Sequence, residues 1–165
     1  MTQDDPVAPG ATSALLGRAR ELSIRESGLA VAVTQRRDGS PVVSVVNAGV
    51  IHHPVTGELV VGFVARGGAR KLANLRARPH ATIAFRSGWE WIAVEGDVEL
   101  AGPDDPLEGV DDISNVLRTV YAAAVGGSQE DWRDLDDKMA AERHTAVLIS
   151  PVRVYSNPPA APGSG

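Results

Sequence analysis

Hydrophobic residues in this chain recur at two different spacings, and the switch between them marks out its elements. Short runs rich in Val, Ile and Ala, bounded by Gly, Pro, Asn or Asp, read as strands at Gly28–Thr34, Val42–Ile51, Leu59–Ala65, Ala81–Arg86, Glu90–Ala101 and Thr145–Ser156. Turn residues join neighbours closely: Asp38-Gly39 between the first two, Thr56-Gly57 between the next two and Ser87-Gly88 between the fourth and fifth. Such connections predict antiparallel pairing. Six strands are enough to close a small barrel and so remove its exposed edges. The runs Leu29–Val33 and Pro41–Val46 are apolar on both faces, whereas a barrel in water needs only its inner face apolar. They predict a second covering surface and hence a homodimer.

The longer period appears three times. A helix is predicted from Thr12 to Leu22, with Thr12 or Ser13 as N-cap and Leu15, Leu16, Ala19 and Leu22 on the face that closes one end of the barrel. Between the last two strands, Ile113, Val116, Leu117, Val120, Tyr121 and Ala124 follow helical spacing. Ser128 is placed to cap a further, acidic helix bearing Trp132, Leu135 and Met139, and both helices read as structural.

At 165 residues the chain suits one domain, taken as 12–156, between ends rich in Pro, Gly and small residues that are expected to be flexible over 1–11 and 157–165. No long apolar run supports a membrane span or signal peptide, so a cytoplasmic protein without a membrane partner is expected. Cysteine is absent, which removes thiolate metal sites and a thiol nucleophile; hard chemistry is then expected from a cofactor. The net charge of −5 is unevenly spread. Residues 1–103 carry eleven Arg/Lys against ten Asp/Glu, and residues 104–142 carry three against eleven. That acidic stretch and the low aromatic content argue against a nucleic-acid partner.

Against this background the stretch Arg66–Pro79, RGGARKLANLRARP, stands out. Gly67 and Gly68 let the chain leave the strand Leu59–Ala65 tightly, and a short helix opens with Arg70 and Lys71 and ends before Pro79. Cations in a first turn oppose the helix dipole, so the arrangement suits a bound anion such as a phosphate, held by Arg66, Arg70, Lys71 and free N–H groups. The alternative is a solvated basic helix resting on the core through Leu72 and Leu75.

Other signatures fail. His52 and His53 are adjacent and point to opposite faces, so they do not share a metal, and no metal site is expected. Serine-hydrolase, Walker and Rossmann motifs are missing. The pairs Asp104/Asp105, Asp111/Asp112 and Asp136/Asp137 read as solvated charge rather than acid–base machinery.

Taken in order, GLAVAVTQRRDGSPVVSVVNAGVI, ELVVGFVARGGARKLANLRARPHATIAF and WEWIAVEGDVELA resemble the pyridoxamine 5′-phosphate oxidase-like superfamily, nearest to its actinobacterial flavin/deazaflavin oxidoreductase branch. The resemblance implies a mainly β (α+β) fold, a six-stranded antiparallel split β-barrel with flanking helices, of FMN-binding split-barrel type. It implies coenzyme F-420, or alternatively FMN, as cofactor, and hydride transfer to a small unsaturated organic substrate. A third outcome under the same fold is a non-catalytic carrier or sensor of cofactor, haem or another ligand. Arg70, Lys71, Asn74, Leu75 and Pro79 keep the family's phosphate-segment pattern. Ala65 and Ala69 replace common hydroxyl residues, and Arg66 adds a charge. By the same resemblance Ser44, Val46 and Asn47 on the second strand and Phe63, Val64 and Ala65 on the third border the ring, with Gly67 and Gly68 in the phosphate loop. Trp89 and Trp91 would line a substrate pocket or a dimer core.

Overall fold

Every second residue of Leu29–Gln35 (β1) is buried, namely Ala30, Ala32 and Thr34, as expected of a strand with one face on a core. The computed structural model, which describes residues 9–127 and 131–157, carries that alternation around six strands. Pro41–His52 (β2), Leu59–Ala65 (β3), His80–Ser87 (β4), Glu90–Ala101 (β5) and Thr145–Ser156 (β6) join β1 in a closed antiparallel barrel, ordered β1-β2-β3-β6-β5-β4. Phe63, Phe85, Ile83 and Ile92 fill its interior. Helix Pro9–Arg25 (α1) adds Leu16, Ala19 and Leu22 to the same core.

A second core lies on the outside of the barrel. Helix Ile113–Val125 (α3) sets Val116, Leu117 and Val120 against Ile51, Val60 and Leu148, and helix Trp132–Ala141 (α4) adds Met139. The approach of α3 is unusually close because glycines lie under it. A Cβ at Gly49 would fall 2.5 Å from the Ala123 carbonyl, and one at Gly28 only 1.5 Å from the Ala124 oxygen. Asp112 caps α3 by accepting from the Asn115 amide, and Arg118 on α3 forms a bidentate ion pair with Asp136 on α4.

Several expectations shift. Helix α1 begins at Pro9 and ends at Arg25, so Thr12 and Ser13 lie inside it rather than at its cap. Asn157, expected in a loose tail, accepts from the Trp91 amide at 3.2 Å and donates to the Trp89 carbonyl at 3.1 Å, which fixes the end of β6. The proposed cap Ser128 lies outside the described residues; Asp131 caps α4 instead, accepting from the Arg133 amide. Three aspartates expected to be merely solvated are ion-paired: Asp104 with Arg143, Asp105 with Arg76 and Asp136 with Arg118. His52 is exposed while His53 is buried, where its Nδ1 accepts from the amides of Val55 and Thr56.

On the outer face of β1 and β2 an apolar stripe stays open to water. Val31 pairs with Val45 and Val33 with Val43, and Val43 and Val45 remain 64% and 67% exposed. No described helix is long and apolar enough to cross a membrane.

Candidate functional site

The site grows from the end of β3. Its last residue, Ala65, is buried, and the chain turns through Arg66-Gly67-Gly68 into Arg70–Ala77 (α2). Gly68 has φ +81°, a conformation glycine adopts without strain, and the space a Cβ would take there is open. Gly67 is needed for a different reason. Its amide donates to the Glu142 carbonyl at 3.0 Å, and a Cβ there would stand 2.7 Å from the Arg143 oxygen. Ala69 offers α2 no side-chain cap and no acid occupies the first turn, so the positive end of the helix faces outward unneutralised.

Beside this loop a cavity of about 370 Å³ opens between the barrel wall and the outer helices. Strands β2 and β3 supply Val45, Val46, Asn47, Val64 and Ala65. The loop and α2 supply Arg66, Ala69 and Lys71, and the helical side adds Tyr121, Ala124, Leu135, Lys138, Met139 and His144. No carboxylate is among these lining residues, although the chain as a whole is acidic. Behind the rim, the buried Glu142 Oε2 makes no hydrogen bond; it lies 3.4 Å from Arg66 Nε and 3.6 Å from His144 Nε2. An apolar slot with cationic ends can hold a flat ring that carries an anionic tail.

The residues expected from sequence divide. Val46, Asn47, Val64, Ala65, Arg66 and Lys71 line the cavity together. Gly67 and Gly68 shape its loop. Arg70 is exposed beside it and does not line it. Ser44 lies two residues from Val46 on the side of β2 opposite Val45 and Asn47, and does not line it either. The Phe63 side chain is sealed in the barrel core and does not line the cavity. Asn74 donates to Thr34 Oγ1 at 3.3 Å and so fastens α2 to β1. Asn47 commits its amide nitrogen to the Ser27 carbonyl at 3.0 Å, leaving its oxygen free to accept. Trp89, 94% exposed, and Trp91 border a separate depression with Arg86 and Gly88, and Trp91 meets Tyr155 edge to face at 6.2 Å. Tyr121, Leu135, Lys138 and Met139 carry no site signal in the sequence, since helical spacing alone marks them as core or surface, and His144 stands alone in the turn between α4 and β6.

The sequence matches the pyridoxamine 5′-phosphate oxidase family over residues 16–157. The chain belongs to that family. No curated protein matches it in sequence. Among solved structures, a conserved hypothetical protein of Mycobacterium tuberculosis shares 19% identity with this oxidase-family chain at a TM-score of 0.63, covering 99% of this chain and 98% of its own. An FMN-binding, pyridoxamine 5′-phosphate oxidase-related protein of Nostoc punctiforme shares 18% identity at a TM-score of 0.56, covering 92% and 86%. A protein named as an F420 reductase shares 15% at a TM-score of 0.54, covering 82% and 94%. At these identities the likeness establishes the split-barrel fold of the oxidase family.

Proposed function

We propose that this member of the oxidase family belongs to its flavin/deazaflavin branch and is an F-420-dependent reductase of a small unsaturated organic substrate. The observation that carries the proposal is the cavity beside β2 and β3: an apolar slot whose end is formed by Arg66, Lys71 and the uncapped start of α2, with no acid in its lining. Those groups suit a phosphate joined to a flat ring, so the residues present fit either a deazaflavin or FMN. The missing hydroxyls at Ala65 and Ala69 move the phosphate contacts onto backbone N–H groups and the two cations. Bound there, the cofactor supplies a hydride, and a deazaflavin does so without ready one-electron reaction with oxygen, which favours reduction over oxidation. The chain's own part is placement. Lys71 and Arg66 fix the anionic tail, Asn47 Oδ1 offers an acceptor to the ring, and Val64, Leu135 and Met139 exclude water.

The same reading favours a homodimer. Val45 belongs both to the exposed stripe of β1–β2 and to the cavity lining, so a second copy seated on that stripe would also border the site.

The test is titration of the apo protein with F-420 and with FMN, followed by fluorescence, and then oxidation of reduced F-420 with conjugated enones, quinones and unsaturated acids. Micromolar F-420 binding with accelerated turnover supports the proposal. FMN binding in preference to F-420 would make this a flavoprotein of the same fold, and failure of both at tens of micromolar would remove the enzyme reading.

A further inference from the structure

The chain contains only two lysines, Lys71 and Lys138, among sixteen basic residues, and both line the same cavity. They arrive from elements far apart in sequence, α2 and α4. Neither ammonium takes part in a salt bridge or hydrogen bond among the described residues, although Asp134 stands one turn before Lys138 on its own helix. Arg66 and His144, by contrast, both stand beside a carboxylate, Glu142 Oε2 lying 3.4 Å from Arg66 Nε and 3.6 Å from His144 Nε2. Lys138 also holds nothing of the fold together. Helix α4 is fixed by its Asp131 cap, by buried Met139 and by the pair between Arg118 and Asp136, while Asp136 turns toward α3 and leaves Leu135, Lys138 and Met139 on the cavity side.

Position decides which anion Lys138 meets. With its tail held at the start of α2, a ring along β2 and β3 would leave the wall formed by Leu135, Lys138 and Met139 to a reaction partner. We infer that Lys138 receives the anionic group of the small molecule that enters on the α4 side of this cavity. On the reading proposed above, from which this inference takes the reaction but not the charge, that molecule is the substrate, an unsaturated organic acid and not a neutral enone. The compact, strongly hydrated ammonium suits a single carboxylate as a point charge.

The experiment compares a planar acid, 2-naphthoate, with its neutral analogue 2-naphthamide by calorimetry on the full chain, on Lys138→Gln and on Lys71→Gln, with F-420 titrated in parallel. The acid is expected to bind about tenfold more tightly than the amide, as a charge-assisted hydrogen bond implies. Lys138→Gln should erase that preference and Lys71→Gln should keep it, with both variants melting like the parent. Equal binding of acid and amide, no binding of either, or a preference that follows Lys71 would overturn the inference. So would a loss of F-420 affinity in Lys138→Gln as large as its loss of 2-naphthoate, because Lys138 would then serve the cofactor's tail. Failure of F-420 to bind, with the Lys138-dependent preference intact, would remove the proposed reaction and leave the anion site standing.

Discussion

The Gly67 amide and the Glu142 carbonyl, 3.0 Å apart, join the cationic loop after β3 to the turn that ends α4. Two segments that each supply part of the cavity are thereby held in one register. Gly67→Ala places a Cβ 2.7 Å from the Arg143 oxygen and 2.8 Å from its Cβ, where neither backbone yields easily. A loss of about 1–3 kcal/mol is expected in urea denaturation, the range for overpacking. Gly68→Ala is the control: nothing crowds that position, and only its φ of +81° should be penalised, by about 1–2 kcal/mol. Only the first should also weaken ligand binding by shifting the loop against α4.

Lys71→Ala is expected to weaken F-420 binding by about 1.5–3 kcal/mol, the value of a hydrogen bond to a charged group. Arg70, exposed and outside the cavity lining, should matter less, about 1 kcal/mol or below. Fluorescence titration of the two variants reads both numbers. Unchanged affinity in both would move the phosphate away from α2.

Acid should loosen the outer helices. The hydrogen-bonded Arg118 guanidinium holds the Asp136 carboxyl below its ordinary value, and Arg143 does the same for Asp104. A carboxyl with a depressed folded pKa stabilises the fold above its unfolded value, here 3.8, and that contribution is lost as pH falls through the lower folded value. Urea midpoints should therefore decline below about pH 4. Asp136→Asn should start lower at neutral pH and decline less steeply in acid. Trp132 emission reports on the change locally, since Arg118 lies 5.9 Å from its ring. Parallel pH profiles for parent and variant would show that the pair adds nothing.

Val31→Asp combined with Val43→Asp should give a folded monomer. Both side chains point outward on the exposed stripe, so the barrel core is untouched, while a dimer would lose the burial of two valines, about 1.5–3 kcal/mol each. Light scattering beside far-ultraviolet dichroism checks both halves of the claim. A parent protein already monomeric at micromolar concentration would contradict the dimer outright.

The barrel was legible because strand signals are local. Leu59–Ala65, Glu90–Ala101 and Thr145–Ser156 carry their own β-branched runs and turn residues, and the strands form over those bounds. The loop Arg66–Gly68 was legible for the same reason, since charge and glycine stand together in the chain. The helical half of the cavity was not. Lys138 and His144 meet Arg66 and Lys71 only through the packing of α4 on α3 and the turn that returns to β6, and no periodicity encodes that meeting. Ser44 shows the opposite failure: it shares a strand and a face with Val46, but the lining of β2 runs only from Val45 to Asn47 and stops short of it. Trp89 and Trp91 drew attention by size, yet the β4–β5 hairpin carries them to another surface.

Glycines beneath α3 have a mechanical consequence. Where Gly28 and Gly49 meet Ala124 and Ala123, backbone rests on backbone with no side chain between them to compress or change rotamer. The helix is therefore seated like a bearing on a hard stop, and Tyr121 and Ala124, which face the cavity, inherit that rigidity. Helix α4 has such a seat only at its C-terminal end, where Gly67 lies under Glu142 and Arg143; along its length it touches its surroundings through Met139, Leu135 and the Arg118–Asp136 pair, all of which can rearrange. Adjustment of the slot to ligands of different thickness must come from the α4 wall, so variation that tunes selectivity belongs there, while variation under α3 would be felt first as a loss of the fold.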